Sequence, residues 1–216
     1  MLRLSLDAKA AVKMGPFSRR GKNRVKTEAC DHDFSSSAKL TPYGILLPDL
    51  DELFLYCTTY LVTSDFIVDI LETWWESHRD RFDLVQTLVL NQDNGPENHS
   101  RRTQFMKRMV EFAHKYQLNL KLAYYPPYHS KYNPIERSWG VLENHWNGSI
   151  LDEITTVINF AQTMSWKGHH PTVELVTQNY PTGVKLTKPE MLAVENQIQR
   201  SPELGKWFID IYYNSV

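Results

Sequence analysis

The sequence predicts an α/β fold built on a mixed sheet with helices on its faces, and three observations lead there. Leu2, Leu4 and Leu6 alternate with Arg3, Ser5 and Asp7, the two-residue period of a strand. Residues 44–47 and 53–57 are apolar and flank the acidic turn Asp49-Leu50-Asp51-Glu52, which reads as a hairpin. Beyond residue 62, helix-period and strand-period segments alternate, the pattern of strands joined by crossover helices.

Each element has its own signal. Between the first strand and the hairpin, residues 13–39 form a basic and polar insertion. Its first half carries Lys13, Arg19, Arg20, Lys22, Arg24 and Lys26 with no acid, broken by Gly15, Pro16, Gly21 and Asn23. That composition serves a solvated loop or an arm that contacts phosphate. Cys30, Asp31, His32 and Asp33 are too nearly consecutive to converge on one ion, so a surface role is expected of them.

Thr63-Ser64-Asp65 opens a helix that runs to about Arg81, with Phe66, Ile67, Ile70, Leu71, Trp74 and Trp75 on one face. Residues 87–90 are a short buried strand whose exposed end carries Asp93. A helix over 101–116 buries Phe105, Met109, Phe112 and Ala113, and residues 118–123 form the next strand, stopped by Pro126-Pro127. Asn133-Pro134 starts a helix whose buried stripe is Ile135, Trp139, Leu142 and Trp146, closed by Gly148. Residues 151–165 are a further helix. Past Trp166 the pattern loosens: 188–200 reads as one more helix and 207–213 as an apolar, aromatic stretch. The expected organisation is a core over residues 1–166 with 167–216 as a C-terminal extension packed on it.

The totals exclude several classes. The chain has 216 residues, 42% of them hydrophobic, enough for one large domain with a real core. A net charge of -1 gives no bulk signal for nucleic acid, so any such role rests on local charge. Two cysteines without CxxC spacing exclude a disulfide scaffold and a cysteine zinc cluster, and they fit a reducing cytoplasm. No apolar run approaches a membrane span, and no signal-peptide pattern is present, so no membrane partner is expected.

Three carboxylates carry the chemistry. Asp7 lies on the first strand, Asp93 ends a later one, and Glu136 opens a helix. If the two strands are neighbours, the three acids converge. They would then repel one another unless protonated or neutralised by cations. Hard oxygen donors suit Mg²⁺ or Mn²⁺, and two such ions support in-line phosphoryl transfer. Each acid also has a plainer reading. Asp7 at a strand end also reads as a surface residue. Asp93-Asn94-Gly95 is a common turn sequence. Asn133-x-x-Glu136, with Pro134 at the first helical position, reads as a capping box.

A resemblance adds to this. Asn91-Gln92-Asp93-Asn94-Gly95-Pro96-Glu97-Asn98 and Tyr125-Pro126-Pro127-Tyr128-His129-Ser130-Lys131-Tyr132-Asn133-Pro134-Ile135-Glu136 resemble the second and third acidic motifs of DDE transposases, the mariner-like group among them. The closer resemblance is to the Rhodopirellula-type transposase DDE domain of bacterial insertion sequences. It extends to Leu6-Asp7-Ala8-Lys9, Asp31-His32-Asp33-Phe34, Leu40-Thr41-Pro42-Tyr43-Gly44 and Trp139-Gly140-Val141-Leu142-Glu143. The resemblance implies a ribonuclease H-like, five-stranded mixed sheet and metal-dependent cleavage of element ends with strand transfer into target DNA. It implies Asp7, Asp93 and Glu136 as catalytic metal ligands for two Mg²⁺ or Mn²⁺ ions, with Asp31 and Asp33 as weaker candidates for the first acid. Lys9, Arg19, Arg20, Lys22, Arg24, His129, Lys131 and Arg137 are candidate DNA contacts. The implied partners are transposon-end and target DNA and further copies of the chain on that DNA; the implied place is the bacterial cytoplasm, at the nucleoid. Family members generally carry a helix-turn-helix region upstream of the first acid, so the chain is expected to be a fragment or one half of a split reading frame. The alternative is a truncated remnant that binds DNA or a transposase partner without chemistry.

Overall fold

The computed structural model describes residues 1–17, 19, 28–29, 38–126 and 129–214. In chain order the described elements begin with β1 (Leu2–Ala8), β2 (Val12–Met14), β3 (Ala38–Leu47) and β4 (Glu52–Thr58). Then come α1 (Ser64–His78), β5 (Thr87–Asp93), α2 (Thr103–Tyr116), β6 (Asn119–Tyr125), α3 (Glu136–Trp146) and α4 (Ile154–Thr163). The last four are β7 (Thr172–Val176), α5 (Lys188–Glu195), β8 (Ile198–Arg200) and β9 (Phe208–Ile211).

The chain divides into two compact units. The first holds Met1–Leu6, Val62–Asn133 and Tyr180–Val216; the second holds Asp7–Leu61 and Pro134–Asn179.

In the first unit β1 and β5 are parallel, in register from Leu2 with Leu88 to Ser5 with Asn91. β5 and β6 are parallel too, from Thr87 with Asn119 to Asp93 with Tyr125. β9 runs antiparallel to β6, and β8 antiparallel to β9. Leu88, Leu90, Leu120 and Leu122 alternate into the core. α1 and α2 pack against each other, and Phe66, Trp74, Phe105 and Phe112 on them are essentially fully buried. Thr63 caps α1, its side chain accepting from the Phe66 amide at 3.2 Å. Arg108 of α2 bonds Asp65 and Asp69 of α1 at 2.8 and 2.6 Å, tying the polar edges of the two helices together.

In the second unit β3 and β4 form the expected hairpin, paired from Thr41 with Thr58 to Leu47 with Glu52. β2 joins β3 antiparallel, and β7 joins β4 parallel. α3 and α4 lay Ile135, Trp139, Leu142, Trp146, Val157 and Ala161 into a core shared with Leu40, Leu46, Leu53, Leu55 and Cys57. Burial pushes the Cys57 thiol up to about 12, so it packs as an inert apolar group.

Past Trp166, β7 extends the sheet of the second unit, and α5, β8 and β9 belong to the first. Helix α5 stops at Glu195, and residues 198–200 are a strand, because pairing with β9 outweighs the local helical pattern. Most of the basic insertion, including Arg20, Lys22, Arg24, Asp31 and Asp33, lies outside the described residues.

Gly44 sets the approach of α3 to β3. A Cβ there would stand 2.5 Å from Ile135 Cδ1 and 2.8 Å from Trp139 Cη2. Gly44→Ala is expected to push α3 outward and cost about 1–3 kcal/mol of stability, read as a lower midpoint in urea or thermal unfolding.

Candidate active site

In the second unit, Asp7 is held from the helix. The Trp139 indole Nε1–H donates to Asp7 Oδ2 at 2.7 Å. Trp139 lies three residues along α3 from Glu136, so the two share a helical face one turn apart. Asp7 and Glu136 are both half-buried. The capping-box reading of Glu136 is overturned. α3 begins at Glu136 itself, its N-cap is Ile135, and no side chain caps it. Asn133 is committed elsewhere: it accepts from the Ser5 hydroxyl, and its Nδ2 donates to the Leu6 carbonyl at 2.9 Å. Among the described residues the Glu136 carboxylate has no hydrogen-bond or ion-pair partner.

Asp93 ends β5 in the first unit. The turn that follows is closed by other groups. Asn98 Nδ2 donates to the Asp93 backbone carbonyl and to Gln92 Oε1, both at 3.1 Å, and Asn94 Oδ1 accepts from the Ser100 amide at 3.0 Å. The Tyr124 hydroxyl, buried in the core, adds a bond to the Asn98 carbonyl at 2.9 Å. The Asp93 carboxylate takes no part in these bonds and has no such partner among the described residues. It rests against Gly95, where a Cβ would stand 3.3 and 3.4 Å from its two oxygens and 2.9 Å from Asn98 Oδ1.

The basic candidates divide sharply. Lys9 is no surface residue: its side chain is 8% exposed, pairs with Glu143 and lies over the Trp146 ring. Arg19 is drawn into the same cluster, 3.5 Å from Glu143 and 5.2 Å from the Trp146 ring centroid. Burial lowers its pKa, and Glu143 opposes that. His129, Lys131 and Arg137 are exposed; His129 stacks on Tyr132, and Lys131 lies over the same ring.

The profile of the family described as the Rhodopirellula transposase DDE domain matches residues 2–212. The chain belongs to this family. Among solved structures it is similar to Mos1 transposase, in a paired-end complex with the left transposon end, with a TM-score of 0.54 and 10% identity. That match covers 73% of this chain and 46% of the other, so the chain spans less than half the length of that protein. The likeness identifies the fold as ribonuclease H-like. No curated protein matches.

In this DDE domain the side chains suit a hard divalent cation in type: Asp7, Asp93 and Glu136 offer only carboxylate oxygens, and two of the three are unpartnered. Among the described residues no group of three or more His, Cys, Asp or Glu stands close enough to hold an ion as placed. Sequence reasoning missed Trp139 and Glu143 as functional neighbours, seeing Trp139 only as part of a buried stripe. The signal was present. Asp7 and Lys9 are two apart on one chain, and Trp139 and Glu143 four apart on one helix.

Glu143 is the charged centre of the cluster. Burial raises its pKa, but hydrogen bonds from Lys9 and Trp146 and the charges of Lys9 and Arg19 outweigh this, leaving it below the ordinary 4.5. A carboxyl depressed in the folded state contributes stability above its unfolded value and loses it as the pH falls through the folded one. Glu143→Gln is therefore expected to shrink the loss of Tm between about pH 5 and about pH 3, and to lower Tm at neutral pH by leaving Lys9 buried and unpaired.

Proposed function

We propose that this chain is the catalytic domain of a DDE transposase. It cleaves the ends of its element and joins the freed 3′-hydroxyl to target DNA, with Asp7, Asp93 and Glu136 as the metal-holding acids. The observation that carries the reading is the Trp139–Asp7 hydrogen bond. It ties the first acid to the helix that bears the third, in a chain that belongs to the transposase family from residue 2 to residue 212.

The three acids supply oxygen ligands for Mg²⁺ or Mn²⁺, two ions in all. When bound, such ions activate a water or a 3′-hydroxyl and stabilise the leaving oxygen of a phosphodiester. The protein's own part is to hold and turn the carboxylates. Asn98 fixes the backbone beneath Asp93, and Trp139 fixes the rotation of Asp7. The exposed cations Lys131 and Arg137 contact DNA phosphates, with His129 beside them in sequence. The partners are element-end and target DNA, and further copies of the chain assembled on the paired ends. The Mos1 complex is with a transposon end. No helix among the described residues is long and apolar enough to cross a membrane, and work on DNA puts the protein at the nucleoid in the cytoplasm.

The decisive experiment is an end-cleavage and strand-transfer assay with Mg²⁺ or Mn²⁺. Glu136→Gln and Asp93→Asn are each expected to lower the rate by at least about a hundredfold with the fold intact. Wild-type activity in either variant overturns the assignment of that residue. Nicked products without joined strands would instead describe a nuclease, and DNA binding without any product a non-catalytic remnant. A separate check is fluorescence anisotropy with labelled end DNA across a salt series. Arg137→Ala is expected to weaken binding at every sequence and to reduce the slope of log K against log salt by about one.

A further inference from the structure

We infer that Trp139 is a positioning residue for Asp7. With the Lys9–Glu143 pair it forms a two-rung lock that holds the first acid in register with α3, and so with Glu136, before any cation arrives. The inference rests on the proposed metal-holding role of Asp7 and Glu136.

The lock is a match of two spacings. Glu136, Trp139, Glu143 and Trp146 follow one another at intervals of three, four and three along α3, which puts them on one face of the helix. Asp7 and Lys9 are two residues apart on an extended chain, so their side chains leave the same side. From Trp139 to Glu143 the helix rises about 6 Å. From Asp7 to Lys9 an extended chain advances about 6.6 Å. The two ladders therefore stay in step, and both rungs close: Trp139 Nε1 to Asp7 Oδ2 at 2.7 Å, and Lys9 Nζ to Glu143 Oε1.

The second rung is braced from three sides. Trp146 Nε1 donates to Glu143 Oε2 at 2.7 Å, Arg19 approaches the same oxygen at 3.5 Å, and the Lys9 amide donates to the Pro42 carbonyl at 2.9 Å. This bracing keeps the Lys9 ammonium on Glu143, although Lys9 is only two residues from Asp7. The first rung acts on Asp7 alone. An indole offers one donor and no acceptor, so it fixes one carboxylate oxygen and with it the plane of the group. It is also a neutral donor, which does not itself offset the negative charge of Asp7. A lysine in its place would neutralise the carboxylate. Partners of this kind, behind a metal ligand, typically change metal affinity or activity by 10–100-fold when removed.

The test compares wild type, Trp139→Phe and Asp93→Asn. The phenylalanine keeps the ring in the core and removes the N–H. Mn²⁺ is titrated against protein without DNA and read by electron paramagnetic resonance of the free ion; the Mg²⁺ concentration for half-maximal end cleavage is measured in parallel. The expected result for Trp139→Phe is a roughly tenfold to hundredfold rise in both half-saturation concentrations. Cleavage at saturating Mg²⁺ should largely recover, a pattern that a merely structural lesion does not produce. A folded Trp139→Phe that titrates like wild type overturns the inference and leaves the metal-centre reading standing. Wild type with no saturable Mn²⁺ binding of the kind Asp93→Asn removes overturns both. If Trp139→Phe unfolds, 3-benzothienylalanine at position 139 keeps the indole shape and lacks only the N–H, and the same two outcomes decide.

Discussion

Helix α3 can lie as close to β3 as it does because residue 44 has no side chain. Ile135 and Trp139 occupy the space a Cβ would take, and Leu142 and Trp146 continue the contact along the helix. Burial of side chains this large supplies on the order of 1.5–3 kcal/mol each. That is ample to fix the helix axis and to leave its polar residues little choice of direction. Once the axis is fixed, Trp139 presents its N–H to Asp7, Glu143 meets Lys9, and Glu136 begins the helix one turn away. Hydrophobic packing thus aims the polar groups, and the hydrogen bonds refine what packing has already brought within reach.

Charge is distributed in two contrasting ways. Lys9 and Arg19 are withdrawn from water onto Glu143 and the Trp146 ring, a cluster that neutralises itself. Asp93 and Glu136 are half-buried with no cationic side chain against either among the described residues. Leaving a carboxylate partly desolvated and unpaired costs free energy. A structural ion pair would have removed that cost, as it does for Glu143. Unpartnered acids in two motifs of a DDE family suit a cation that arrives from solution, and this contrast is the electrostatic basis of the proposed metal centre.

Much of the architecture was legible beforehand, for reasons tied to particular residues. The stripe from Phe66 to Trp75 and the 4-3-4 spacing from Ile135 to Trp146 bury as their periods require, and Leu4 and Leu6 are buried, although Leu2 is only half-buried and Ser5 between them is buried too. Short elements were harder. Residues 172–176 and 198–200 become strands only because β4 and β9 offer open edges, information that no local window contains. Asn133 was misread for a similar reason. Its spacing to Glu136 is that of a capping box, yet Ser5 and Leu6, more than a hundred residues earlier, are its partners. Lys9 looked like a free cation because its counter-ion lies on a helix far along the chain.

By itself the sequence determined the α/β class and the family, since periodicity and residue chemistry survive without coordinates. Tertiary structure decided which polar groups are partnered. It released Glu136 from the capping role, left the Asp93 carboxylate outside its own turn, buried Lys9, and set Trp139 against Asp7. Hydrogen bonds and ion pairs act over about 3 Å, and the elements that bring two side chains that close are chosen by burial across the whole chain.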